Sequence, residues 1–461
     1  MVKITNKINP NIFREYDIRG IADEDLTDDV VYTIGRSYGS YVLKDDNHKV
    51  VVGYDNRLSS ERINSILIKG LTDSGVNVID LGLVTTPMLY YAKYYYNIYT
   101  GIMITASHNP KEYNGFKMSF SKIGNAYGQL IKDFEDYTYK GEFVSGSGEV
   151  VKADIKEEYL KNFKKCVDLG ERRIKVVFDC GNGTGSVIVK DILDMFNVEY
   201  DLLYCESDGT FPNHISDPSV SEYMVDLGKR VAELGYDLGI GIDGDADRVG
   251  VVLENGEYVT ADLLLLMIYR YLYPNMHNKK ALFDVKCSRA LIDGLKDLNL
   301  QPVMNRTGNS YCNLEMQRGD FDFGGEYSGH FFFRDKYPGF DDGIYAGLRI
   351  IEILSNTDKT ISQLLSNVNK YYSTEEIKVK VTDESKFKIV DAIKNYAKER
   401  GYECNDIDGV RVEFLDSWAL VRASNTGPNL TVRFEANSEQ RLEEIQKEFM
   451  DQINSLISSL I

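Results

Sequence analysis

The chain has 461 residues, 43% of them hydrophobic, and a formal net charge of −18. That length is too great for one ordinary core and predicts three or four domains. The acidic balance excludes general electrostatic binding to nucleic acid or to an anionic membrane, so an anionic substrate would need local cationic contacts.

Residues 1–7 lack the apolar block of a signal peptide, and the longest apolar run, 263–269, is too short to span a bilayer, so a soluble protein is expected. The six cysteines lack CxxC spacing. That pattern disfavours zinc and a disulfide scaffold and points to a reduced, cytoplasmic setting.

Three segments, 50–55, 174–179 and 281–284, share one plan: an apolar strand ends in an Asp-containing turn that feeds a helix. This is a weak internal repeat of α/β type, and after its first copy Ile63, Ile66, Leu67 and Leu71 fall at helical spacing. The apolar strand 100–104 leads into Thr105-Ala106-Ser107-His108-Asn109-Pro110, which presents the Ser107 hydroxyl on a loop. No GxSxG elbow surrounds it, so a serine hydrolase is disfavoured, while a plain loop serine stays open. Residues 141–148 are small and polar and mark a domain boundary. Residues 180–186 form a glycine-rich turn with Ser186 where a dinucleotide fingerprint needs its third glycine, so a tight strand-to-helix turn is expected.

Asp243-Gly244-Asp245-Ala246-Asp247, followed by Arg248, lies between the apolar strands 238–242 and 249–253. Three carboxylates in five residues repel one another unless a cation neutralises them, and hard oxygen ligands on a tight loop favour Mg²⁺. A calcium EF-hand fails, because Arg248 holds the sixth position, where glycine is needed, and the flanks read as strands. Further on, 348–365 is helical, Thr374-Glu375-Glu376-Ile377 opens a strand-rich segment, and Leu442, Ile445, Phe449, Ile453 and Leu456 make the apolar stripe of a last helix. The expected domains are 1–148, 149–256 and 257–370, three related mixed α/β units around a central cleft, and a smaller α+β unit at 371–461.

Five motifs together resemble the α-D-phosphohexomutases, and within them the bacterial phosphomannomutase/phosphoglucomutase branch, over essentially the whole chain. They are Phe13-Arg14-Glu15-Tyr16-Asp17-Ile18-Arg19-Gly20, the Ser107 loop, the triple-aspartate loop, Gly325-Glu326-Tyr327-Ser328-Gly329-His330, and Arg422-Ala423-Ser424-Asn425-Thr426-Gly427-Pro428. The resemblance implies a catalytic phosphoserine at Ser107, and Mg²⁺ held by Asp243, Asp245, Asp247 and a phosphoserine oxygen. It also implies sugar recognition by Glu326 and Ser328, phosphate binding by Arg422, Ser424, Asn425 and Thr426, and Tyr16 and Lys286 at the substrate.

The implied reaction interconverts hexose 1-phosphate and hexose 6-phosphate, of mannose or glucose, through a 1,6-bisphosphate. Glucose 1,6-bisphosphate or mannose 1,6-bisphosphate would be the activator, and a small-molecule sugar phosphate is the expected partner, with no nucleic acid or membrane and the oligomeric state left open. Arg248 suits the charge that spreads over phosphoryl oxygens. His330, Lys117 and Arg19 are the candidates for proton transfer, and the sequence leaves their division of roles open.

One string departs from the branch: Thr307-Gly308-Asn309-Ser310 has Asn309 where relatives usually carry histidine, so a cationic or proton-carrying role there is in doubt. The alternatives are a phosphoglucosamine mutase, a Mg²⁺-dependent sugar phosphatase, which should not need the Arg422 loop, and a silent sugar-phosphate sensor, which need not keep Ser107 with three aspartates.

Overall fold

A computed structural model describes residues 2–121, 124–424 and 427–460. Each repeat strand is an inner strand of its own sheet. Lys49–Tyr54 pairs in parallel with Asn77–Leu83 and Gly101–Ile104. Ile174–Asp179 does the same with Val198–Leu203 and Leu238–Ile242, and Lys280–Asp284 with Gln301–Asn305 and Phe323–Gly325. These central strands are apolar because both faces are covered: Val50, Val51, Val52, Val176, Val177, Phe178 and Leu282 are wholly buried.

In all three sheets the chain then turns back into an antiparallel neighbour, Tyr113–Ser119, Val249–Val252 or Phe331–Phe333. The weak repeat in the sequence is thus one strand order used three times. The turn before the antiparallel strand is, in succession, the Ser107 loop, the triple-aspartate loop and the 326–330 loop. A single topological position supplies three of the candidate loops.

The first sheet gains Ile18–Ile21 on one edge and Val150–Lys152 on the other. Residues 141–148 hug this sheet: Gly146 N donates to Asp73 O at 3.0 Å and Gly148 N to Thr72 O at 2.8 Å. A Cβ at Gly148 would lie 1.9 Å from Val76 O, so glycine here serves close packing and the first sheet extends past residue 148. Helix Gly343–Ser355 is buried along its whole length and packs on strands of the second sheet as well as on helix Ala261–Leu272, which ties the second and third units together.

The C-terminal unit is an antiparallel sheet packed against helices Ser385–Glu399 and Glu439–Leu460, with Ile445, Phe449 and Ile453 of the expected stripe wholly buried. The architecture is therefore three related α/β domains and a smaller α+β domain, as the sequence predicts. Among the described residues no helix is long and apolar enough to cross a membrane.

Candidate active site

Ser107 is buried, with left-handed backbone (φ 50°), and its Oγ donates to Asp243 Oδ2 at 2.7 Å. A non-glycine residue in that region costs about 1 kcal/mol, so something must hold the loop. Arg57 does. Its Nη2 donates to the carbonyls of Ser107 (2.8 Å) and Asn109 (2.7 Å), and its Nη1 to those of Pro110 (2.7 Å) and Tyr113 (3.0 Å). Asp55 Oδ2 accepts from Nε at 3.1 Å and fixes the guanidinium. The two loops touch: a Cβ on Gly244 would lie 2.5 Å from Ser107 O, which explains a glycine between the first two aspartates.

The planar fork of Arg57 serves four carbonyls at once, and a lysine cannot. Arg57→Lys is expected to lower kcat about 10²-fold while KM for the sugar phosphate changes by less than about threefold. Steady-state kinetics well below the melting temperature will read that split, and equal losses in kcat and in global stability would contradict it.

Asp243, Asp245 and Asp247 are fully buried and offer oxygens within 4.8 Å of one another. Asp243 Oδ1 accepts from the backbone N–H of Asp247 (3.0 Å) and Arg248 (3.1 Å). Asp245 Oδ2 accepts from Lys117 Nζ (2.7 Å) and Thr86 Oγ1 (2.6 Å), and Lys117 also bonds Asp247.

Burial and then the charges of Asp247 and Asp245 push Asp243 well above the usual carboxylate range. Burial opposes the charge on Lys117, but Asp245 and Asp247 overcome it and hold the ammonium protonated. Asp245 Oδ1 is buried with no hydrogen-bond partner among the described residues. A buried, unsatisfied carboxylate oxygen beside two more carboxylates fits a hard divalent cation.

A cleft of about 500 Å³ collects the remaining motifs: Tyr16, Arg19, Ser107, Lys117, Arg248, Lys286, Glu326, Ser328, His330, Arg422 and Ser424 all line it. Arg19 is braced by Asp17 and donates to Asn109 Oδ1 at 2.7 Å. His330 has Asp247 Oδ1 and Glu326 Oε2 each at 3.3 Å. Burial alone would keep the imidazole neutral, yet Asp247 and Glu326 raise it to about 10. The protonated ring then donates from Nδ1 to Ser328 Oγ at 3.0 Å, and its 3.3 Å approach to Arg248 Nε is proximity rather than a hydrogen bond.

Glu326 Oε1 is fixed by the Gly308 N–H at 2.5 Å. Lys286 pairs with Glu376 at 2.6 Å, and Arg422 Nε donates to Asp408 Oδ2 at 2.9 Å. Asn309 Nδ2 donates to Asp341 Oδ2 at 3.1 Å, so this position carries a neutral donor turned toward a buried carboxylate. Asn425 and Thr426 lie outside the described residues.

Sequence reasoning passes over Arg57, Thr86 and Lys386. Lys386 Nζ donates to Ser424 O (2.9 Å) and Gly427 O (3.4 Å) and so pins the Arg422 loop from a neighbouring helix. The Asp55-x-Arg57 pair at a repeat-strand end is the one local signal that marks any of the three.

The four descriptions that match in order are phosphoglucomutase/phosphomannomutase alpha/beta/alpha domains I (10–143), II (157–256) and III (260–371) and the C-terminal domain (376–452). A phosphomannomutase/phosphoglucomutase from Pseudomonas syringae pv. tomato is 41% identical, over 97% of this chain and 96% of its own. A phosphoglucomutase from Neisseria meningitidis is 37% identical, over 96% of this chain and 97% of its own. The crystal structure of a phosphoglucomutase/phosphomannomutase family protein from Burkholderia thailandensis superposes with a TM-score of 0.90 at 34% identity, over 97% of this chain and 98% of its own. Matched domain by domain and over its full length, the chain belongs to the phosphoglucomutase/phosphomannomutase family, and by that membership it is an isomerase of the phosphohexomutase type.

Proposed function

We propose that the chain interconverts the 1- and 6-phosphates of glucose and mannose through a phosphorylated Ser107. The observation that carries this reading is Ser107 Oγ, 2.7 Å from Asp243 Oδ2, on one wall of a cleft that has Arg422 and Ser424 on another. A transferring site paired with a site for the phosphate that does not react is what a mutase needs and a phosphatase does not.

Phosphoserine 107 gives its phosphoryl group to the free sugar hydroxyl. The serine O–P bond breaks and its oxygen takes up a proton, a sugar O–P bond forms, the hydroxyl proton leaves to a neighbouring group, and a 1,6-bisphosphate results. The sugar turns over within the cleft, and the opposite phosphate returns to the serine oxygen. Asp243, Asp245 and Asp247, with a phosphoserine oxygen, would hold Mg²⁺, which when bound supplies positive charge beside the phosphoryl oxygens.

Arg248 and Arg19 bring fixed cations to the same wall, and Lys117 locks Asp245 and Asp247 in place. Arg422 and Ser424, with Asn425 and Thr426 and the charge of Lys286, receive the distal phosphate. A trace of glucose 1,6-bisphosphate or mannose 1,6-bisphosphate would rephosphorylate the resting serine.

Glu326 and Ser328 read hydroxyls 3 and 4, which glucose and mannose share, and a site that ignores position 2 discriminates poorly there. The expected result is kcat/KM for glucose 1-phosphate and mannose 1-phosphate within about tenfold, and a lower value for glucosamine 1-phosphate. A coupled assay of the three with Mg²⁺ and a trace of bisphosphate measures this. A clear preference for the glucosamine compound would overturn the substrate assignment, and release of inorganic phosphate at the rate of turnover would favour the phosphatase.

A further inference from the structure

We propose that Cys180 and Cys205 form a reversible disulfide under a small-molecule oxidant and that this bond braces the second sheet behind the metal loop. The two sulfurs lie 2.6 Å apart, inside their van der Waals contact and a little over half an ångström from the bonded distance of about 2.0 Å.

The backbone holds them there. Past the Asp179–Leu203 pair the parallel register slips by one residue, with Cys180 N donating to Leu203 O at 3.2 Å and Asn182 N to Tyr204 O at 2.7 Å, so the two cysteines sit side by side where the strands end. Cys205 Sγ also lies near the carbonyls of Phe178 (3.4 Å) and Leu203 (3.3 Å), but the sulfur of Cys180 is its nearest partner, whereas Cys166, Cys287 and Cys404 meet oxygens of Asn162, Asp284 and Tyr402.

Cys180 is wholly buried and Cys205 half-buried, which orders the chemistry. The Cys205 thiolate attacks one sulfur of a low-molecular-weight disulfide such as oxidised glutathione and expels one thiolate. Cys180 then attacks the Cys205 sulfur, its proton passes to solvent, and the second small thiolate leaves. Two protein thiols are oxidised and one small disulfide is reduced to two thiols.

The turn that Cys180 opens supports the site from behind. Thr184 N donates to Gly244 O at 2.8 Å, and Asn182 O accepts from Asn56 Nδ2 at 2.7 Å, next to the Arg57 clamp. A cross-link between residues 25 positions apart restricts the unfolded chain, so the oxidised protein is expected to melt about 5 °C higher. Because the sulfurs already touch, kcat stays unchanged.

The test incubates the full chain with oxidised glutathione, then counts thiols, maps peptides and records melting. The expected result is loss of two of the six thiols, a peptide pair joining Cys180 to Cys205, and the higher Tm, all reversed by dithiothreitol and absent in Cys205→Ser. Glutathione retained on Cys205, a bond between other cysteines, or an unchanged thiol count in the wild-type chain would overturn the cross-link, and an unchanged Tm with the bond in place would overturn its bracing role. These readouts come from the wild-type protein, so they stand even if the serine variant folds poorly.

Discussion

Ser107→Ala is expected to lose mutase turnover by about 10³-fold or more while the fold stays intact. The removed oxygen makes its short bond to Asp243 Oδ2, and Asp243 Oδ1 keeps its own bonds from the N–H groups of Asp247 and Arg248, so the metal loop does not lose its frame. The loop around position 107 is held through backbone carbonyls by Arg57, which the substitution leaves untouched. Mass spectrometry of the active wild-type protein is expected to find phosphate on the Ser107 peptide, and the variant to carry none. Wild-type turnover in the alanine protein would remove the serine from the reaction.

Asp245→Asn is expected to weaken Mg²⁺ binding and to lower kcat about 10²-fold at ordinary Mg²⁺, with partial rescue at high Mg²⁺. The substitution removes one negative charge, and because Lys117 and Thr86 donate to the Oδ2 position they hold the amide oxygen there and leave the NH₂ group where the orphaned Oδ1 would meet a cation. Lys117 keeps its bond to Asp247, so the ammonium is not left unpaired and the fold is expected to survive. Fewer carboxylates also relieve the repulsion that, after burial, pushes Asp243 upward. Calorimetric Mg²⁺ titration and activity against Mg²⁺ concentration separate binding from turnover. For the wild-type chain, exhaustive chelation is expected to abolish activity and Mg²⁺ to restore it, and activity that survives chelation would contradict the metal role of this loop.

What the sequence made legible is local. The triple aspartate could be read as a cation site because all three carboxylates lie within five residues, and the structure gathers their oxygens as that reading requires. The repeat strands could be read from their apolar runs, but that their following hairpins occupy equivalent positions needed the sheet order. Arg57 was marked only by its neighbour Asp55, for a physical reason: the oxygens it clamps are main-chain carbonyls some fifty positions away, and backbone carbonyls leave no mark on residue type. Lys386 escaped in the same way. The small polar stretch 141–148 resembles a linker because glycine serves both flexible turns and close packing, and at Gly148 packing is the use. At Asn309 the sequence doubted a proton-carrying role, and the side chain is found donating to Asp341 instead.

The most direct measurement follows labelled phosphate from a 1,6-bisphosphate through the enzyme. The protein is mixed with ³²P-labelled glucose 1,6-bisphosphate and unlabelled glucose 1-phosphate, quenched within and after one turnover, and the label is located on peptides and on sugars. The account predicts label on the Ser107 peptide at the early time and in glucose 6-phosphate later, with little inorganic phosphate. Label on another residue, or label released to water without passing to sugar, would contradict it.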